Sequence, residues 1–182
     1  MNLQNQEYIY LLTLGRCDME EKDFYTFSGY MKKDENLLTA SMEDYLEMIY
    51  RLSLNTGFTR IHTLAQALNI QPSSATKMVQ HLSHMGLIKY ERYGYIMLEE
   101  SGKVEGSRLL NRHMIIEDFI RIIGVNQKRV LEETEKAEHM FCVETIQCFQ
   151  NFVEFMVSHP EFKESYMQYL KKMKALSEAA AE

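Results

Sequence analysis

The chain has 182 residues, 46% of them hydrophobic and 11% aromatic, with a formal net charge of -6 at pH 7. That length allows one or two domains with a substantial core, and the composition is that of a soluble globular protein. It contains no run of about 18 apolar residues and no basic N-terminal segment leading into an apolar one, so neither a membrane span nor a signal peptide is expected, and the expected location is cytoplasmic.

Residues 1–38 are polar and mixed in pattern, with one apolar cluster, YIYLL at Tyr8–Leu12, and are expected to form an N-terminal extension of unassigned role. A separate domain is predicted over residues 39–100. It begins with SMEDYLEMIYRL, where Ser41 and Asp44 have capping-box spacing and Tyr45, Met48, Ile49 and Leu52 recur at helical intervals. TRIHTLAQALNI reads as a short second helix with Ile61, Leu64, Ala65 and Leu68 inward, ending near Asn69. A third helix is predicted from Pro72, suited to a first helical turn, to Gly86, with Ala75, Met78, Val79 and Leu82 on one face. LIKYERYGYIMLEE then changes period and predicts a β-hairpin around Tyr93-Gly94.

Three helices followed by a hairpin spell a winged helix-turn-helix. In that arrangement the third helix enters the major groove and offers Ser73, Ser74, Thr76, Lys77 and Gln80 to bases and phosphates, with Arg92 reaching the backbone from the wing. Charge distribution agrees with this. Between Met48 and Leu98 the basic residues Arg51, Arg60, Lys77, Lys89 and Arg92 face a single acid, Glu91, inside an otherwise acidic protein. An ordinary solvated helix face would also expose such residues.

Residues 101–182 are predicted to be all helical. A long helix runs from about Gly102 to Ile123, where Gly124 ends it. Others cover about Gln127–Met140, Val143–Val157 and Phe162–Ala179. The fold class is therefore mainly α: an N-terminal winged helix-turn-helix with a small β-hairpin wing, followed by an all-helical domain. Apolar stretches such as FVEFMV and RIIGV exceed what a few helices of this length bury alone, so a homodimer is expected. Cys17, Cys142 and Cys148 show neither zinc-site nor disulfide spacing and are expected to be reduced and mostly buried.

ETEKAEHMF, Glu133–Phe141, places Glu135, Glu138 and His139 on one helical face, as Asp44 and Glu47 lie on one face of the first helix. Taken singly these have plain explanations. Charge runs are usually solvated surface, Asp44 in a first turn suits a cap, and His113, flanked by Leu109, Leu110, Ile116 and Ile120, points at a core. Together they supply four carboxylates and two imidazoles, a donor set suited to hard or borderline divalent cations. Unneutralised carboxylates about 4 Å apart repel by roughly 4 kcal/mol at an effective dielectric near 20, which would make such a cluster a metal-dependent switch.

From SMEDYLEMIY through QPSSATKMVQHL, NRHMIIEDFIRIIGV and EKAEHM, the chain resembles the manganese-sensing branch of the diphtheria toxin repressor (DtxR) family, over roughly Ser41 to the C-terminus. The resemblance places the family's metal ligands on Asp44, Glu47, His113, Glu135, Glu138 and His139, with Glu135 and Glu138 bridging two closely spaced ions. In the iron-sensing branch a methionine stands at the position of Asp44 and a cysteine at that of Glu135, and a third, SH3-like domain follows. The segment before Ser41 is not normal for the family, which makes Met31 a candidate natural start.

What the resemblance implies is a non-enzymatic, manganese-dependent repressor of manganese uptake genes, binding palindromic double-stranded operator DNA as a dimer. Two Mn2+ per subunit are expected, with Fe2+, Cd2+ or Zn2+ as substitutes, and neither a membrane nor a small organic ligand as partner. An iron(II)-dependent regulator of the same family is the nearest alternative. A dinuclear carboxylate metalloenzyme is more remote, because E-x-x-E-H occurs once where helical-bundle enzymes use two E-x-x-H helices.

Overall fold

In the computed structural model, which describes residues 38–179, the chain begins with a helix whose first turn is set by Thr39. Thr39 is extended, at φ -77° and ψ 158°, and its carbonyl and hydroxyl both accept from the Met42 N–H. The cap is therefore Thr39 and not Ser41, and Asp44 is free for a tertiary contact. The helix, α1 (Ala40–Ser53), buries Leu46 and Ile49 and, unusually for charged groups, Glu43 and Glu47. The residues before Leu38, Cys17 and Met31 among them, lie outside the described part of the chain.

β1 (Thr59–Arg60), α2 (Ile61–Ala67), α3 (Pro72–His84), β2 (Ile88–Tyr90) and β3 (Tyr95–Leu98) follow. The expected hairpin is β2–β3, registered Ile88 to Leu98 and Tyr90 to Ile96, and its turn carries Tyr93 and Gly94 in the left-handed region at φ 68° and 77°. Sequence reading missed β1. It pairs antiparallel with β3, Thr59 opposite Ile96, and makes a three-stranded sheet of order β1-β3-β2. Leu46, Ile49, Leu64, Val79, Leu82, Ile88 and Ile96 close one core.

The same core takes in Leu109 from α4 (Glu100–Ile122), so the long helix is anchored in the winged-helix half before it enters the helical half. Two glycines allow the approach. A Cβ on Gly102 would lie 1.9 Å from the Leu87 carbonyl oxygen, and one on Gly106 would lie 2.7 Å from Cβ of Tyr50 on α1. Buried positions 102, 106, 109, 113, 116 and 120 form a stripe at spacings of four and three, which carries His113 directly beneath α1.

α5 (Gln127–Ala137), α6 (Val143–Ser158) and α7 (Pro160–Ala179) complete the described chain. Ile116, Ile120 and Val130 form a second core with Phe119, Phe141 and Phe149, in which the Phe119 and Phe149 rings stack at 4.1 Å. α5 stops at Ala137, three residues short of the expected end, and a tight turn carries Glu138 to Met140. Cys142 and Cys148 are exposed, contrary to expectation: Cys142 is the residue that precedes α6, and Cys148 falls on an outward position within it. α7 buries no residue, and Phe162, Tyr169, Met173 and Leu176 remain exposed along it. No helix among the described residues is long and apolar enough to cross a membrane.

Candidate metal centre

The end of α5 places two of the expected residues. Glu138 caps the helix, still in αR conformation with its N–H bonded to the Thr134 carbonyl at 3.0 Å, and His139 lies in the turn that follows, so the two adjacent side chains point at different neighbours. Glu138 is 2% exposed and sits at a helix C-terminus, where the dipole disfavours a carboxylate. Such a group requires cationic partners, and two imidazoles provide them. His113 Nδ1 lies 2.8 Å from Glu138 Oε2, and His139 Nε2 lies 3.5 Å from Glu138 Oε1.

Two triads result, each with its donor atoms within 4.8 Å of one another: Asp44, Glu138 and His139, and Glu47, His113 and Glu138. Glu138 belongs to both. In the first, Asp44 Oδ1 is 2.8 Å from His139 Nε2. In the second, Glu47 Oε1 is 3.9 Å from His113 Nδ1 and is also held by the Arg51 guanidinium, whose Nε donates to it at 2.8 Å. Each triad draws on α1 and on the turn after α5, and the second also on α4. Glu135 is the outermost of the six expected residues: its Oε1 lies 3.9 Å from His113 Nδ1, its side chain is half exposed, and it belongs to neither triad.

Charge state follows from these contacts. The His139 imidazole, hydrogen-bonded to Asp44 and to Glu43, is pushed up to about 9, and the hydrogen bond to Glu138 raises His113 against the opposing effect of burial. Burial and the neighbouring Glu138 raise Glu135. The protons on the imidazoles thus occupy the place of positive charge among the carboxylates. The donors are oxygen and nitrogen only, with no thiolate, so the residues fit one or two hard or borderline divalent cations.

Glu43 is the residue that sequence reading missed. It is 4% exposed, and its Oε2 lies 2.7 Å from both Arg112 Nη2 and His139 Nδ1. Burial alone would raise its carboxyl, but the hydrogen bonds from His139 and Arg112 outweigh it and hold the group below its ordinary value. A signal was present, since Glu43 and Glu47 are four apart on one helical face. Glu117, one turn beyond His113, pairs with Arg121 of its own helix.

In the winged-helix half, Ser73, Ser74, Lys77 and Gln80 are exposed along α3, as a groove-reading helix requires. Thr76 is less free, because its hydroxyl donates to the Pro72 carbonyl at 2.8 Å. The side chain of Arg92 lies outside the described part of the structure. Arg60 stacks its guanidinium over the Tyr95 ring, 4.4 Å from the centroid, and adds a fixed positive charge beside the wing.

Comparison with known proteins covers both halves. Residues 37–96 match the family model of the iron dependent repressor N-terminal DNA binding domain, and residues 99–166 match that of the iron dependent repressor metal binding and dimerisation domain. The chain is 40% identical over 123 residues to the HTH-type transcriptional regulator MntR of Lysinibacillus sphaericus, covering 68% of this chain and 88% of that one. The crystal structure of T. acidophilum IdeR superposes with a TM-score of 0.53 at 30% identity, over 63% of this chain and 53% of that one. The structure of the manganese regulator SloR does so with a TM-score of 0.56 at 25% identity, over 65% and 55%. This chain thus spans about half the length of those two solved structures.

Proposed function

Because the chain belongs to the iron dependent repressor family, and is therefore a metal-dependent transcriptional regulator and not an enzyme, we propose that it is a manganese(II)-activated repressor acting as a homodimer on palindromic operator DNA. The observation that carries the reading is the pair of triads sharing Glu138, built only from carboxylates and imidazoles. Asp44, Glu47, His113, Glu135, Glu138 and His139 would hold two ions. Oxygen donors at Asp44 and Glu135, with no sulfur among the six, favour manganese over softer ions.

A divalent cation at each triad supplies the positive charge that lets carboxylates from two halves of the chain face one another. The residues do the rest. Asp44 and Glu47 ride on α1, which packs in the DNA-binding core, while Glu138 and His139 belong to the helical half. Holding these side chains together fixes the angle at which α3 is presented. In a dimer, which the exposed apolar side chains of α7 support, two such helices would address half-sites about 34 Å apart. Metal and operator affinities are then coupled, each raising the other by the same factor. The controlled genes would be those of manganese uptake, and the location cytoplasmic.

Fluorescence anisotropy of a duplex spanning a manganese-uptake promoter, titrated with protein in manganese, iron(II), zinc, cadmium or chelator, tests this. Strong binding in manganese that chelator removes is the expected result, with weaker activation by zinc. Binding indifferent to the chelator would end the proposal, and a preference for iron(II) over manganese would reassign the ion.

Lys77→Ala is expected to lower operator affinity about tenfold, and the slope of log K against log salt by about one charge, while leaving manganese affinity unchanged. The two measurements separate the DNA face from the metal site.

The raised imidazoles set the pH dependence. In chelated protein the stabilisation from His139 is complete below its unfolded value of about 6.5 and is lost as pH rises towards about 9. Manganese must displace that proton. Affinity should therefore rise about tenfold per pH unit between 6.5 and 8.5 if one imidazole is discharged, and more steeply if His113 is discharged as well. Calorimetry in buffers of different ionisation enthalpy counts the protons released, and a count of zero would contradict the assignment.

A further inference from the structure

Glu43 lies beside the site without belonging to either triad, although it is a buried carboxylate in contact with His139. We propose that Glu43, clamped by Arg112, is the positioning residue for His139: it accepts the Nδ1–H and leaves Nε2 as the nitrogen presented to an ion, while Arg112 keeps Glu43 itself from becoming a ligand. This rests on the assignment of His139 as a ligand.

The geometry assigns a role to each nitrogen. A carboxylate oxygen 2.7 Å from a ring nitrogen requires a proton between them, and Arg112 Nη2, also 2.7 Å from that oxygen, keeps the carboxylate ionised. Nδ1 thus holds a proton; Nε2, 2.8 Å from Asp44 Oδ1, holds one by the same rule when no ion is bound, and that is the proton an ion would replace. The 3.3 Å separation of Arg112 Nη2 from His139 Nδ1 is then two donors converging on one oxygen, not a hydrogen bond between them. Nε2, on the other side of the ring, faces Asp44 and Glu138. A carboxylate on the far nitrogen fixes the ring plane and raises the basicity of the near one.

Arg112 is 8% exposed, and its Nε has no partner among the described residues. Burying an imperfectly satisfied ion pair is a poor way to gain stability, since apolar residues of similar size usually do at least as well. Its placement does have a consequence for Glu43. With one oxygen shared between two fixed donors, and Arg108 3.9 Å from the other oxygen, Glu43 cannot turn towards Asp44 and Glu138. The pair also joins α1 to α4 across 69 residues of sequence without any metal.

The test uses full-length protein loaded with cadmium, which is diamagnetic and reports the coordinating nitrogen by NMR. In wild type, long-range 1H–15N spectra should show His139 protonated on Nδ1 and coupled to cadmium through Nε2. Glu43→Ala alone leaves Arg112 buried and unpaired, so the informative variant is Glu43→Ala/Arg112→Met, with Glu43→Gln as the conservative change that keeps an acceptor. The double variant should lose ten- to a hundredfold in affinity at one of two ions and show mixed coordination of the His139 ring, and Glu43→Gln should keep Nε2 coordination. Wild-type affinity and a single Nε2 coupling in the double variant would overturn the inference. His139→Ala is the control: if it costs no cadmium affinity, the ligand assignment falls and this inference with it. If it does and the double variant does not, only the role of Glu43 falls.

Discussion

Replacing Glu138 with alanine is expected to take the protein from two bound manganese ions to none under conditions that saturate wild type. Glu138 is the one side chain common to both triads, so its loss removes a ligand from each. Asp44→Ala removes a ligand from only one, and should leave one ion bound. Equilibrium dialysis with metal analysis distinguishes two, one and none directly. A loss of at least about 100-fold per site corresponds to roughly 2.8 kcal/mol, at or beyond the upper end of the ten- to hundredfold effect expected from a neighbour that only orients a ligand. The fold should survive in Glu138→Ala. In the metal-free protein the carboxylate is opposed by the helix dipole and answered by His113, so removing it lets His113 discharge and stay buried as a neutral ring. Operator binding should then be lost in manganese while the dimer and its helical spectrum persist. A Glu138→Ala protein that still takes up two ions with wild-type affinity would show that the shared carboxylate is not the bridge.

What could be read from the sequence was set by what is local. The helices of the DNA-binding half announce themselves through Ile49, Leu64, Val79 and Leu82 at helical intervals, and the wing through its change of period; Leu46, fully buried beside Ile49, was not picked out, while the expected Tyr45, Met48 and Leu52 are only partly buried. β1 did not, because a two-residue strand carries no periodicity and exists only through its pairing with β3. Asp44 has the residue type and position of a capping partner, and only the extended Thr39 ahead of it shows that it is free. The donor types at Asp44, Glu47, His113, Glu138 and His139 were legible once taken together. Their division into two triads was not, since it depends on how α1, α4 and the end of α5 pack against one another. Glu43 and Arg112 escaped for a related reason: each reads as surface charge by itself, and their burial follows only from contact between helices distant in sequence. The cysteines mark the limit of composition rules. A general preference of cysteine for the interior says nothing about which face of α6 Cys148 occupies.

Gly106→Ala is expected to destabilise the protein, by up to about 2 kcal/mol, even though it replaces a poor helix former with the best one. On propensity alone the exchange gains about 1 kcal/mol. Against it, the new methyl would lie 2.7 Å from Cβ of Tyr50 and 3.0 Å from two of its ring atoms. A Cβ is fixed to its own backbone and cannot rotate away, so α1 and α4 must separate by more than half an ångström. Overpacking of this kind typically costs 1 to 3 kcal/mol, which exceeds the propensity gain. The displacement has a functional signature. His113 lies two turns further along the same face of α4, and Glu47 is on α1, so the triad of Glu47, His113 and Glu138 is pulled open, while that of Asp44, Glu138 and His139 contains no residue of α4. Manganese titration should therefore show one weakened site and one nearly unchanged. Gly102→Ala provides the contrast. Its Cβ would meet the Leu87 carbonyl oxygen at 1.9 Å, a backbone atom with no freedom to yield, so the loss of stability should be larger, about 3 kcal/mol or more. Thermal melts in chelator rank the two variants. A Gly106→Ala protein more stable than wild type, with both manganese affinities intact, would mean that the close approach of α4 to α1 does not set the geometry of the site.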